Sequence, residues 1–330
     1  MRSLDVVGIG NAIVDAVAEA DDALLAEEGL PKGSMTLIDA GRAAALRGRM
    51  GQAVEVCGGS AANTMVGVAR LGGAAGYVGK IRDDTAGAVF RHDIQEAGVA
   101  FPTPAAKGGA PTARCLIFVT PDAQRTMNTH LGACVELGPG DIDPDFIASA
   151  RLLYMEGYLW DPPEAKEAFR KALGIAHAAG GRVCLSLSDS FCVDRHRAEL
   201  RDLVANHVDV LFANEDEAMA LYEVADFGAA LAAARADCAV AVLTRSAKGS
   251  VVAGEGAVHT VEAAPVARVV DTTGAGDLYA SGFLLGLARG FDLARCGRLA
   301  SLTAGEIIGH YGARPEADIA PFVDASQYPL

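Results

Sequence analysis

Asp271-Thr272-Thr273-Gly274-Ala275-Gly276-Asp277 runs directly into Leu278-Tyr279-Ala280-Ser281-Gly282-Phe283-Leu284. The small residues Gly274, Ala275 and Gly276 allow a tight turn in which several backbone N–H groups point to one place. The apolar run behind them predicts a helix whose N-terminus adds positive dipole to the same spot, so the turn is suited to cradle an anion. Asp277 then puts a carboxylate beside that cradle, where it is placed to orient or deprotonate an attacking alcohol. The same residues, taken alone, also describe a Gly-rich turn with an aspartate favoured by the helix dipole.

Working outward, short apolar runs alternate with longer helical patterns. Leu4–Ile9, Leu152–Met155, Val183–Leu187, Val208–Phe212 and Ala239–Leu243 read as buried strands, being short and rich in Val and Leu. Ser60 is a candidate cap for a helix ending at Gly72-Gly73. Pro163–Ala179 is a second helix, and a third starts near Asp84 and ends at Gly98. This rhythm predicts an α/β fold with a mostly parallel central sheet and helices on both faces. Two excursions break it. Residues 12–56 carry Pro31, Lys32, Gly33 and Ser34 before the apolar run Met35–Ile38, and residues 111–133 read as a hairpin turning at Pro121-Asp122. Both are consistent with a small β-sheet lid or with long loops. In the lid reading, residues 1–11, 57–110 and 134–330 form the large domain, and 12–56 and 111–133 form the lid.

Composition narrows the function. The 330 residues carry 28 basic and 42 acidic side chains, a formal net charge of −14, which argues against a nucleic-acid binder. Apolar residues are 51% and charged ones 21%, an ordinary globular balance. No apolar run approaches the ~18–20 residues of a membrane span, and the most hydrophobic stretch is broken by Arg235 and Asp237. The odd set of 7 cysteines has no Cys-x-x-Cys pair, which points to reduced thiols in a cytoplasmic protein. Gly8-Ile9-Gly10 follows a strand, but Ile13 stands at the third glycine position of a dinucleotide fingerprint, and no Walker-type lysine loop is present. The histidines show no metal-ligand spacing. Trp160 reads as packing near the sheet edge. Asn214 and Glu217, three apart, would share a helix face; oxygen ligands at that spacing suit Mg²⁺, and the same spacing is a capping box.

The fourteen-residue run as a whole resembles the C-terminal motif of the ribokinase-like family of carbohydrate and nucleoside kinases. Gly58-Gly59-Ser60-Ala61-Ala62-Asn63 is similar to the family's Gly-Gly element, which holds substrate hydroxyls. Gly79 with Asp83-Asp84-Thr85-Ala86-Gly87 resembles its strand-to-helix turn, and Asn214-Glu215-Asp216-Glu217 its Asn-x-x-Glu motif. The resemblance implies ATP and Mg²⁺, with Asp277 as base, the Gly274–Gly276 amides stabilising the transferring phosphoryl group, and Asn214 and Glu217 holding Mg²⁺ through water. It also implies nucleotide contacts at Asn214, Thr244, Gly249, Thr273, Ala304 and Ile308. The segment Ser301–Pro315 resembles the helix and loop beside ATP's adenine, and that loop, at Gly312, with the backbone near Asp271 and Thr273 would bind a K⁺-type cation, although Glu316 stands where Ser is common.

Within the family, Gly8-Ile9-Gly10-Asn11-Ala12-Ile13-Val14-Asp15 is similar to the start of adenosine kinases, which assigns Asn11 and Asp15 to ribose hydroxyls. Arg125-Thr126-Met127-Asn128-Thr129-His130 resembles the lid strand over the nucleoside. There Arg125 would reach the phosphates, and Met127 and Thr129 the base. Phe191, in Ser186–Phe191, matches an aromatic that stacks on the base. Thr129 is polar where animal adenosine kinases are apolar, and Met65 stands where sugar kinases carry a small residue. The expected acceptor is therefore a nucleoside, adenosine first, with a ribose- or fructose-type sugar as the alternative. The expected assembly is a monomer, as in adenosine kinases, or a homodimer, as in sugar-kinase relatives.

Overall fold

The computed structural model describes residues 2–122 and 124–330. Its strands in chain order are β1 (Leu4–Ile9), β2 (Ile13–Glu19), β3 (Met35–Leu37), β4 (Val54–Gly58), β5 (Ala75–Val78), β6 (Ala113–Val119), β7 (Arg125–His130), β8 (Ala150–Glu156), β9 (Arg182–Ser186), β10 (Val210–Asn214), β11 (Val240–Thr244), β12 (Ser250–Gly254) and β13 (Ala257–Val261). They form two sheets. The larger has the order β13-β12-β11-β10-β9-β8-β1-β5, and the smaller has the order β3-β7-β6-β2-β4.

In the larger sheet, β5 through β11 run parallel, while β12 and β13 close the far edge as antiparallel strands. Strand periodicity explains its two cores. Val6, Leu152 and Tyr154 point to one side, where they pack with helices Ser60–Arg70, Thr85–Glu96, Ala275–Ala288 and Leu293–Ile307. Their neighbours Val7, Leu153 and Met155 point to the other, against helices Pro163–Ala178, Ser190–His207, Glu215–Tyr222 and Phe227–Asp237. Trp160 is buried in this second core, with its indole N–H donated to Glu199. The broken apolar stretch before β11 is the helix Phe227–Asp237 running into that strand. Val208, expected to open β10, instead caps the helix Ser190–His207, so the strand starts two residues later.

The smaller sheet is built from both excursions, which settles the choice between lid and long loops in favour of a sheet. It also carries two helices that the sequence reading did not foresee, Asp22–Glu27 and Ala40–Arg49. These cover its back face, where Ala16, Leu116 and Phe118 meet Leu25, Leu46 and Met50. No helix among the described residues is long and apolar enough to cross a membrane, and all seven cysteines are free thiols.

Candidate active site

The two sheets meet where β1 hands over to β2 through Gly10-Asn11-Ala12 and where β4 hands over to the helix Ser60–Arg70. Gly59 is the N-cap of that helix at φ 97°, and a side chain there would strike the Asn11 carbonyl. Its glycine neighbour Gly58 lies against the Asp15 carboxylate. The Gly-Gly element thus lets the backbone close onto Asn11 and Asp15. Ser60 does not cap the helix as expected. Its hydroxyl donates to Asp277 Oδ1 at 2.6 Å, because Gly59 already occupies the cap position and the helix Ala275–Ala288 packs across this end.

Asp277 lies in the first turn of that crossing helix. Its second oxygen accepts from Asn63 Nδ2 at 3.2 Å. Burial pushes the Asp277 carboxyl above its usual range, opposed by the Ser60 and Asn63 hydrogen bonds and by the Arg314 charge. Gly274 is the N-cap at φ 78°, and it packs so closely on Ala313 that a side chain would collide. The Gly274 and Gly276 amides therefore sit at the open end of a fourteen-residue helix, as an anion site requires, whereas the Ala275 N–H, expected to join them, donates to the Thr272 carbonyl at 3.2 Å within the turn.

The expected nucleotide contacts are only partly gathered. Thr244, Gly249, Ala304 and Ile308 lie together with Ala275 and Gly276 on the wall of one cleft of about 430 Å³. Strand register sets Asn214 beside Thr244, although neither Asn214 nor Thr273 lines that wall. Asn214 and Glu217 form a complete capping box. The Asn214 N–H and Nδ2 donate to the Glu217 oxygens at 2.9 and 2.7 Å, and the Glu217 N–H donates back to Asn214 Oδ1 at 2.8 Å. Glu217 is buried, and burial raises its carboxyl to about 7, with Asp189 and Asp216 adding to the shift. Direct ligation of Mg²⁺ would break this box, whereas the remaining lone pairs of Glu217 suit an ion held through water.

Asp271 collects the residues expected around a monovalent cation. Its Oδ1 accepts from the Thr273 N–H and hydroxyl, and its Oδ2 from the Gly312 N–H and from Arg125 Nη1 at 2.6 Å. The Arg125 guanidinium already neutralises this carboxylate, and Gly312 turns its N–H to it, not its carbonyl. This arrangement does not fit a cation on the Asp271 carboxylate itself and leaves only the backbone near Asp271 and Thr273 for one. It does fix Arg125, which reaches from β7 across to the large sheet's side of the molecule.

On the open face of the smaller sheet, register aligns Asp15, Cys115, Thr129 and Leu37 in one row, and Val17, Ile117, Met127 and Met35 in the next. Asp15 therefore shares a face with Met127 and Thr129. Its carboxyl rises to about 6 through burial, opposed by the Arg125 and Arg314 charges. The Thr129 hydroxyl donates to Cys115 Sγ at 3.3 Å, so its polar demand is met within the sheet. Met35 and Leu37 are 51% and 59% exposed, and Phe191, at the start of the helix Ser190–His207, is 74% exposed and so is not a core residue. Met65 is buried against Gly8, inside the core below the site.

Two site residues escaped the sequence reading. Glu156 is fully buried at the end of β8 and accepts from the Asn11 N–H at 2.6 Å and the Ala61 N–H at 2.7 Å. Burial lifts its carboxyl to about 7, against the pull of those two bonds. Its position at the carboxyl end of a parallel strand, where α/β sheets place their sites, was the available signal. Arg314 is the other; it lies in the segment Ser301–Pro315 expected beside the adenine of ATP, but its side chain turns to Asn63 and Cys57.

Comparison with known proteins gives the family and the fold. The model of the pfkB family of carbohydrate kinases matches residues 33–320. The chain belongs to this family. The pfkB membership makes it a phosphotransferase with an alcohol acceptor and implies ATP as the donor. The fold is ribokinase-like. A crystal structure of adenosine kinase from Sinorhizobium meliloti superposes with a TM-score of 0.89 at 52% identity, covering 98% of this chain and 99% of that one. A protein from Rhizobium etli CFN 42 described as a probable sugar kinase gives 0.91 at 48%, covering 99% of both chains. A curated relative, the 5-dehydro-2-deoxygluconokinase of Shouchella clausii, is 28% identical over 78% of this chain and 81% of its own.

Proposed function

We propose that this pfkB kinase transfers the γ-phosphoryl group of ATP to the 5′-hydroxyl of a nucleoside, with adenosine as the acceptor. The observation that carries the reading is the exposed apolar edge of the smaller sheet, Met35 and Leu37, on the same side as Asp15. A purine base would cover Met35, Leu37 and Met127 and give Phe191 a ring to stack on, whereas a free sugar would leave them wet. The 52% identity to an adenosine kinase over nearly the whole chain supports it.

In this reading Asp15 and the Asn11 side chain receive the ribose hydroxyls; Asn11 Oδ1 is buried with no partner of its own. Asp277, held by Ser60 and Asn63, takes the proton as the acceptor oxygen bonds to the γ-phosphorus and the bond to the ADP oxygen breaks. The transition state is loose, so positioning and charge neutralisation do most of the work. The Gly274 and Gly276 amides and Arg125 would face the growing charge. Mg²⁺, when bound, neutralises the phosphates, and Asn214 with Glu217 would hold it through water. Closure of the smaller sheet would keep water from the phosphoryl group.

A free sugar is the second reading, favoured because Asp15 and Asn11 suit any vicinal diol. ATP-dependent phosphorylation of adenosine, inosine, guanosine, ribose and fructose separates the two. Adenosine should lead by at least tenfold in kcat/KM. Ribose or fructose ahead of every nucleoside overturns the acceptor assignment and leaves the kinase chemistry standing.

A further inference from the structure

Arg314 lies on the loop that follows the helix Leu293–Ile307, and that loop is pinned on both flanks. Glu306 Oε1 accepts from the Glu316 and Ala317 N–H groups at 3.1 and 2.9 Å, and the Gly312 N–H is held by Asp271 at 3.1 Å. Between these anchors Arg314 extends toward the catalytic aspartate. Its Nε donates to Asn63 Oδ1 at 3.0 Å, and one Nη donates to the Cys57 carbonyl at 2.7 Å. Asn63 in turn donates to Asp277 at 3.2 Å. An amide has one accepting and one donating end. With its oxygen engaged by a guanidinium, Asn63 must turn its NH₂ to Asp277; released, it could flip and present an oxygen to the carboxylate.

We propose that Arg314 is a positioning residue for phosphoryl transfer, fixing the Asp277 carboxylate through the Asn63 amide and tying it to the Gly58-Gly59 turn through the Cys57 carbonyl. The inference rests on Asp277 being the base of the proposed kinase reaction. It gives the C-terminal loop a role on the acceptor side of the site, beyond any contact with the nucleotide. Asp277 is surrounded by Ser60 and Asn63 from one helix, by Arg314 from the loop, and by the nearby acids and phenols Asp15, Glu156, Tyr154 and Tyr158. Of these Arg314 alone is cationic. Its removal leaves Asp277 harder to ionise, so the acid limb of the rate profile moves to higher pH.

The test compares wild type, Arg314→Met and Arg314→Lys in ATP-dependent phosphorylation of adenosine across pH 5–9, with the thermal transition of each recorded. Arg314→Met should lose about tenfold or more in kcat, and its acid limb should rise by about half a pH unit or more. Arg314→Lys keeps the charge without the two-pronged contact, so its limb should stay near wild type while kcat falls. An unmoved limb in a folded Arg314→Met, or a change confined to the KM for ATP, overturns the proposal. Should that variant not fold, Arg314→Gln carries the same two outcomes. A wild-type protein inactive on every acceptor tested defeats the kinase reading itself, a result distinct from either.

Discussion

The eight-stranded sheet is packed on both faces, whereas the five-stranded sheet is packed on one and only partly covered on the other, where Met35 and Leu37 on its edge strand are exposed. In the first, alternate residues of β1 and β8 feed two separate cores, so each side chain is spoken for by packing. In the second, Ala16, Leu116 and Phe118 bury themselves under two short helices, while Asp15, Met127, Met35 and Leu37 face the opposite way. A sheet with one open apolar face meets water poorly unless something covers it. The difference separates two tasks. In the proposed reaction the large sheet would hold Asp277, Glu156 and the cleft lined by Thr244 and Gly249 in fixed relation, and the small sheet would offer a surface that the acceptor completes.

The sharpest way to break this division is at Asp277. Asp277→Asn keeps the Ser60 contact but removes the base, and kcat should fall by at least ~100-fold, about 2.7 kcal/mol of barrier. Activity within a few fold of wild type would falsify the assignment of the chemistry to the large sheet. The pH profile tests the same division. Asp15 and Asp277 both carry raised carboxyls, so kcat/KM for adenosine should drop as pH falls through about 6, the value at Asp15. A rate flat down to pH 5 would mean that neither carboxylate needs to be ionised.

Glu156 bears on the scaffold itself. Its folded value of about 7 stands above the ordinary glutamate value of 4.5, so the folded state binds its proton more tightly than the unfolded chain. The stability this group contributes is fully present below about 4.5 and is lost as pH rises through about 7. Glu156→Gln cannot titrate and should flatten that part of the curve. It should also lose about 1–2 kcal/mol at low pH, where one of the two amide N–H groups faces a donor. Denaturant unfolding at pH 4.5, 6 and 8 measures both effects; parallel curves for mutant and wild type would remove Glu156 from the account.

The same contrast explains what could be read beforehand. Strands such as Leu4–Ile9 and Val183–Leu187 were legible because burial on both faces leaves a continuous apolar run, and Asp277 because the run from Asp271 to Leu284 is distinctive. The helices Asp22–Glu27 and Ala40–Arg49 were not, since they are short and half-polar, and packing against a sheet fixes them more than propensity does. Glu156 and Arg314 were invisible for another reason. Each acts on residues far away in the chain, Asn11 and Ala61 for one, Asn63 and Cys57 for the other, and no local pattern encodes such a meeting. Asn214 and Glu217 were legible in both senses at once, and the capping box is the one the geometry displays.

The open face itself can be probed more gently. Phe191→Ala should raise KM for adenosine by about tenfold while leaving KM for ribose unchanged, since only the base loses a stacking partner; equal effects on both would detach Phe191 from the base. Thr129 is the finer case. A polar residue in the middle of an apolar face would ordinarily favour a ligand that hydrogen-bonds to it. Its hydroxyl, however, is already donated to Cys115 on the neighbouring strand, in the same row as Asp15. The acceptor then meets a surface that is chemically apolar at this point despite the residue type. Thr129→Val, which preserves the shape and removes the hydroxyl, should therefore change KM for adenosine by less than about threefold, under ~1 kcal/mol. A loss of tenfold or more would mean that the hydroxyl leaves Cys115 to bind the base, and the open face would have to be counted as a polar reader of its ligand.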